Sequence, residues 1–115
     1  MTLREKRCVF TEHVAELIRE ARSLGFECAL DQVKRTQAEA DANAAAGTGI
    51  KRSLHLVGLA VDLLLYRDGV YLTATQDYEP LGNWWEAQST TSYTLAWGGR
   101  FRDGNHFSLA HEGRR

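Results

Sequence analysis

The chain has 115 residues, of which 43% are hydrophobic and 25% are charged, and its formal net charge at pH 7 is −1. These values predict one globular domain, residues 1–115. They argue against a broad basic surface for nucleic acid, and no apolar run approaches the ~20 residues that span a bilayer. The N-terminus lacks a signal-peptide pattern, so we expect cytoplasmic synthesis and reduced thiols at Cys8 and Cys28.

The N-terminal quarter of the chain predicts a long amphipathic helix. Thr2-x-x-Glu5 has the form of a capping box. Apolar residues at helical spacing follow it as far as Leu24. Gly25 suits the position just past the end of a helix, where the backbone is often left-handed.

A strand and a second helix are predicted next. Residues 26–30 alternate apolar and polar side chains, with Leu30 on the apolar face, as in a half-buried strand. Thr36-x-x-Glu39 is a second candidate capping box, in front of an alanine-rich helix that ends near Gly47.

The second half of the chain predicts short strands around one short helix. Residues 59–66 are mostly apolar and indicate a strand that is buried on both faces. Residues 68–69, Asp-Gly, favour a hairpin turn after it. Pro80 suits the first turn of a helix, and residues 93–95 and 105–108 are predicted to be the last strands. The pattern predicts an α+β fold in which helices pack on a small antiparallel sheet.

Two histidines and an aspartate in this half offer the donor atoms that zinc prefers. Three protein ligands of this kind leave one position open for water, as in catalytic zinc sites. His55 and Asp62 are seven residues apart, and an extended chain of that length spans ~23 Å. The chain must therefore turn between them, and Gly58 is where a tight turn is least strained. His106 is the third candidate ligand, and a hydrogen-bonded pair of His55 and Asp62 without metal is the alternative.

The same residues stand in a pattern that resembles a known enzyme family. The segment from Ser53 to Asp62, Ser-x-His-x-x-Gly-x-Ala-x-Asp, resembles the first metal motif of the zinc D-Ala-D-Ala carboxypeptidase-like peptidases. Asp103-x-x-His106-Phe107 resembles their second motif. Three shorter segments also match: Arg35-Thr36, Leu81-Gly82-Asn83-Trp84-Trp85-Glu86 and Trp97-Gly98-Gly99. The family shares its fold with phage L-alanyl-D-glutamate endolysins and with the Hedgehog domain. An aspartate at 103, where the dipeptidase branch usually has glutamate, favours the endolysin branch.

The resemblance implies that zinc is bound by His55, Asp62 and His106. Zinc in such a site polarises a carbonyl and acidifies water, and Asp103 is the candidate general base that passes the water's proton to the leaving amine. Asp103 and His106 would point to opposite faces of a regular strand, so this segment must begin in a turn. Arg35 is the candidate residue for stabilising the oxyanion or holding the substrate carbonyl.

Two further residues are candidate substrate contacts. Ser53 suits a bond to a substrate carboxylate or to a metal ligand, and equally a plain turn. Of the two adjacent tryptophans, we expect Trp84 in the core and Trp85 on the groove wall, with the reverse order and a core role for both as alternatives. Asp103 and Arg35 also have simpler interpretations, as a turn residue and as a solvated charge.

Two positions depart from the endolysin pattern. Arg100 follows Trp-Gly-Gly, where the family usually has an acidic residue, and Ser108 stands where glutamate is frequent. The first departure changes the charge expected beside the cleft. Neither departure removes a metal ligand.

The sequence thus predicts a zinc-dependent peptidoglycan peptidase of the phage endolysin type, which hydrolyses a stem-peptide amide bond, with L-Ala–D-Glu preferred. A D-Ala-D-Ala carboxypeptidase or dipeptidase is one alternative, and a non-catalytic zinc-holding domain is another. We expect a monomer that binds neither nucleic acid nor membrane. Its site of action would be the periplasm or the cell wall, after release by a separate membrane-permeabilising protein.

Overall fold

The computed structural model describes residues 1–31 and 53–115. Arg35, the candidate capping box at Thr36 and the alanine-rich helix therefore lie outside the described residues. The described helices and strands are α1 (Leu3–Ser23), β1 (Glu27–Leu30), β2 (Ala60–Arg67), β3 (Val70–Leu72), α2 (Glu79–Ala87), β4 (Leu95–Trp97) and β5 (His106–Leu109). None of the described helices is long and apolar enough to cross a membrane.

Helix α1 begins and ends where the sequence predicts. The Thr2 hydroxyl accepts a hydrogen bond from the backbone N–H of Glu5 at 3.1 Å, and the Glu5 carboxylate accepts one from the N–H of Thr2 at 3.3 Å. This reciprocal pair satisfies two backbone donors that the first turn leaves open. Gly25 follows the helix with φ of 89°, which a residue without Cβ adopts readily. The buried residues of α1 are Phe10, Leu17 and Ala21.

The strands form one antiparallel sheet centred on β2. Strand β1 pairs with one edge of β2, while β5 and β3 pair with its other edge, and β4 pairs with β5. The predicted turn at residues 68–69 joins β2 to β3. With α1 and α2 packed on this sheet, the α+β prediction is confirmed. The inward placement of Leu30 is wrong, because β1 is an edge strand and the Leu30 side chain is 48% exposed.

The core lies between the helices and the sheet, with Trp85 at its centre. The indole of Trp85 makes edge-on contacts with Phe10 at 5.9 Å and Phe107 at 5.8 Å between ring centroids. Its Nε1 donates a hydrogen bond to the carbonyl of Ser108 at 3.0 Å, so the polar atom of the buried ring is satisfied. Trp85 has no exposed surface, whereas Trp84 is only partly buried. Trp85 therefore belongs to the core, and its predicted place on the groove wall is wrong.

Candidate metal centre

Asp62 and His106 come together because they are directly opposite each other in the pairing of β2 with β5. Directly opposite residues of an antiparallel pair project their side chains from the same face. Nδ1 of His106 lies 3.4 Å from Oδ1 of Asp62. Val61 and Leu63, which flank Asp62, are fully buried. The strand alternation that supplies core residues thus presents Asp62 on the opposite face.

His55 reaches the same place from the segment before β2. It lies in a 3-10 helix, Leu54–Val57, which ends at Gly58 in the left-handed conformation with φ of 73°. This conformation is accessible to glycine at little strain, and it reverses the chain between the helix and β2. Nε2 of His55 then lies 3.5 Å from Oδ1 of Asp62. The turn that the sequence predicts at Gly58 is therefore present.

Ser53 fixes the start of this 3-10 helix. Its side chain is buried, and its hydroxyl accepts a hydrogen bond from the backbone N–H of His55 at 3.2 Å. Ser53 is the N-cap residue of the helix. This capping bond is the turn role that the sequence allowed for Ser53 as an alternative to a substrate contact.

The three side chains fit a single divalent ion. One ligand atom from each of His55, Asp62 and His106 lies within 4.8 Å of the others, and all three residues are buried. Two atoms bound to one tetrahedral zinc at about 2.0–2.1 Å lie about 3.3 Å apart. The observed separations of 3.4 and 3.5 Å match that spacing and exceed the usual length of an N–H···O hydrogen bond. Two imidazole nitrogens and one carboxylate oxygen are donors that zinc accepts.

Electrostatics keep the central carboxylate ionised. Burial by itself raises the pKa of Asp62, but the adjacent imidazoles of His106 and His55 outweigh the burial by favouring the carboxylate. The pKa of Asp62 therefore falls well below its ordinary value. A carboxylate that stays ionised across the neutral range is the form that binds a cation.

Asp103 lies beside these three side chains and is exposed to solvent. Its Oδ2 is 3.9 Å from Nδ1 of His106, and its side chain is 53% exposed. The backbone N–H of His106 donates to the carbonyl of Asp103 at 3.1 Å, which closes a turn immediately before β5. This confirms the turn that the odd spacing of the two residues requires. The Asp103 carboxylate is thus placed near the ligands yet in contact with solvent.

Trp97 and Gly98 hold this turn in place. The indole Nε1 of Trp97 donates to the carbonyl of Gly104 at 2.7 Å, and the Asp103 N–H donates to the carbonyl of Gly98 at 2.9 Å. A Cβ on Gly98 would lie 2.2 Å from the carbonyl oxygen of Asp103 and 2.7 Å from Cβ of His106. Only glycine fits this approach. The Trp-Gly-Gly segment is recognisable in the sequence, but the sequence does not show which residues Trp97 and Gly98 contact.

The two departures from the family pattern have structural explanations. Arg100 forms an ion pair with Glu86 at 2.7 Å and a hydrogen bond to Asn83 at 2.9 Å, so its guanidinium is bound to α2. Ser108 is fully buried, and its hydroxyl donates to the carbonyl of Ala96 at 3.5 Å. Arg100 therefore joins the segment between β4 and β5 to α2, and Ser108 is a buried residue of β5.

The comparisons with known proteins agree with this geometry. A family model described as D-alanyl-D-alanine carboxypeptidase, of the M15 peptidases, matches residues 46–109. No curated protein sequence matches the chain. Among solved structures, the L-Ala D-Glu endopeptidase ChiX of Serratia marcescens is similar, with a TM-score of 0.64 and 24% identity over 87% of this chain and 79% of that chain. At this identity the likeness shows a common fold. Because the family model spans more than half of the 115 residues, and includes the whole His55, Asp62 and His106 group, the chain belongs to the D-alanyl-D-alanine carboxypeptidase family of peptidases.

Proposed function

We propose that residues 1–115 act as one zinc-dependent peptidase domain that hydrolyses the L-Ala–D-Glu bond of the peptidoglycan stem peptide. The observation that carries this proposal is the convergence of His55, Asp62 and His106 within 4.8 Å, with the Asp103 carboxylate beside them. Family membership supports peptide hydrolysis, and the donor set supports zinc. As part of the same proposal, the protein is a phage endolysin that acts on the cell wall after its release.

In this mechanism the chain orients the reactants and moves one proton. Zinc held by the two histidines and Asp62 would polarise the scissile carbonyl and acidify water. Asp103 accepts the proton of the attacking water and donates it to the leaving amine. Its partial exposure and its 3.9 Å distance from His106 Nδ1 allow it to reach a water molecule beside the ligands. Arg35 is proposed to stabilise the oxyanion, as the family resemblance implies.

Two observations support L-Ala–D-Glu as the bond that is hydrolysed. An aspartate at position 103 resembles the endolysin branch, and the similar structure ChiX is named as an L-Ala D-Glu endopeptidase. The family description favours the second candidate, D-Ala-D-Ala carboxypeptidase or dipeptidase activity, by the same chemistry on a different bond. A zinc-holding domain without turnover is the third, and the exposed carboxylate of Asp103 next to the ligands argues against it.

Digestion of purified sacculi, followed by mass spectrometry of the muropeptides, tests the proposal. We expect cleavage after L-Ala. Loss of only the terminal D-Ala would establish the carboxypeptidase instead, and zinc binding without release of any fragment would establish the non-catalytic domain.

Two variants test the assigned roles. His106→Ala should abolish both zinc binding and hydrolysis, and retained hydrolysis would contradict the ligand assignment. Asp103→Asn should keep zinc but lower kcat about 10²–10⁴-fold, because the base is removed while the ligands remain. Asp68→Asn is the matched control, since it makes the same change at an exposed hairpin position where asparagine tolerates the positive φ. Equal activity of the Asp103 and Asp68 variants would remove Asp103 as the base.

A further inference from the structure

A polar cleft adjoins the metal centre on the side of Asp103. Its lining includes Tyr71, Thr75, Arg102, Asp103 and Asn105. The cleft has a volume of about 180 Å³, several times the ~30 Å³ that one water molecule occupies in the liquid. Asp103 belongs both to the cleft and to the surroundings of His106, and this residue therefore connects the cleft with the metal centre.

Arg102 is the cation among the residues that line this cleft. It is exposed, and no hydrogen bond or ion pair joins its guanidinium to the part of the chain that the structure describes. Arg100, two residues earlier in the same loop, differs in this respect because Glu86 and Asn83 bind its guanidinium. Arg102 also holds a left-handed backbone with φ of 66°, which is unfavourable for a residue with a Cβ. An arginine fork without a protein partner, facing a cleft, suits a planar anion such as a carboxylate.

The substrate of the proposed reaction carries such an anion at a fixed place. In the stem peptide, D-Glu continues the chain through its γ-carboxyl group, so its α-carboxylate is free. This carboxylate is attached to the carbon that bears the leaving amine. The terminal D-Ala of a D-Ala-D-Ala substrate has the same arrangement. Asp103 donates the proton to the leaving amine in the proposed mechanism, and Arg102 is its chain neighbour in the same cleft.

We propose that Arg102 binds the α-carboxylate of the residue that supplies the leaving amine, and so makes the enzyme selective for substrates in which this carboxylate is free. This inference rests on the proposed function, and it holds for either candidate bond. Bidentate binding of the carboxylate would place the leaving nitrogen toward Asp103. Substrates in which the carboxylate is converted to an amide, as in D-isoglutamine, would lose this contact.

The test compares two stem peptides that differ only in D-Glu or D-isoglutamine. We expect the wild-type protein to prefer the free acid in kcat/KM by roughly tenfold or more, as for loss of a charged hydrogen bond. Arg102→Asn should abolish the preference by slowing only the acid substrate, and asparagine tolerates the left-handed backbone. Arg100→Asn is the matched control and should keep the preference, because that guanidinium is bound to α2. A wild-type protein without preference, or an Arg102 variant that keeps it, would overturn the proposal.

A binding measurement separates this inference from the proposed function. Titration with L-Ala-D-Glu and with its α-amide, followed by NMR, measures the contact without turnover when it uses the zinc-loaded Asp103→Asn variant, which lacks the proposed base. If neither bond is hydrolysed but the acid still binds more tightly in an Arg102-dependent manner, the carboxylate site stands and the peptidase proposal fails. If the bond is hydrolysed but the acid and the amide bind with equal affinity, the peptidase proposal stands and the carboxylate site fails.

Discussion

Gly98→Ala should damage the metal centre without touching any ligand. The added Cβ would lie 2.2 Å from the carbonyl oxygen of Asp103 and 2.7 Å from Cβ of His106, whereas ordinary contact begins at 3.4 Å. Neither neighbour is the end of a flexible side chain, so the turn must move away by about 1 Å to restore ordinary contact, and overpacking of this kind forces the backbone to shift. Ligand positions in a zinc site are set to within ~0.2 Å, so His106 would lose its alignment with Asp62.

We expect zinc affinity to fall about 10–100-fold, as for other residues that position a metal ligand, and the free energy of unfolding to fall by ~1–3 kcal/mol. Chelator competition measures the affinity, and urea unfolding of the metal-free protein measures the stability. Gly69→Ala is the control, because Gly69 has φ of 78° with nothing within 4 Å and lies in the β2–β3 hairpin. It should lower stability by ~1 kcal/mol through backbone strain and leave zinc affinity unchanged. Wild-type zinc affinity in the Gly98 variant would refute the argument that this glycine sets the position of His106.

Two further predictions concern parts of the molecule away from the metal. The Tyr78 hydroxyl donates to the carbonyl of Leu72 at 2.8 Å and accepts from the N–H of Leu65 at 3.2 Å, so Tyr78→Phe should reduce the free energy of unfolding by ~1–3 kcal/mol, measured by urea unfolding. An unchanged midpoint would show that these bonds contribute nothing net. Burial raises the pKa of the Cys28 thiol, which lowers its thiolate fraction near pH 8, and Cys8 is exposed. Iodoacetamide should therefore modify Cys8 first, as followed by mass spectrometry, and equal rates would contradict the burial of Cys28.

Features that depend on neighbouring residues alone were predictable from the sequence. The capping box at Thr2, the hairpin turn at residues 68–69 and the helix start at Pro80 each depend on backbone preferences within a few residues. The turn at Gly58 also followed, since two ligands seven residues apart in an extended chain cannot share an ion. Donor chemistry and motif spacing together selected the same three ligand candidates that the structure brings together.

Features that depend on distant segments were not predictable in this way. Trp84 and Trp85 are adjacent in α2 and equally apolar, and only the packing of α1 and β5 against that helix decides that Trp85 is the buried one. Leu30 continues a regular alternation, yet its strand lies at the sheet edge and leaves it exposed. Sequence periodicity records which side of an element is apolar, but it does not record whether another element covers that side.

The sequence alone determined which side chains can bind a metal and where the chain must turn to present them, because donor type and local backbone preference belong to individual residues. Only the tertiary structure decided that Asp62 faces His106 across two paired strands, and that Arg100 is bound to α2 while Arg102 borders the cleft. Strand register and the pairing of charges are set by contacts between segments that lie far apart along the chain.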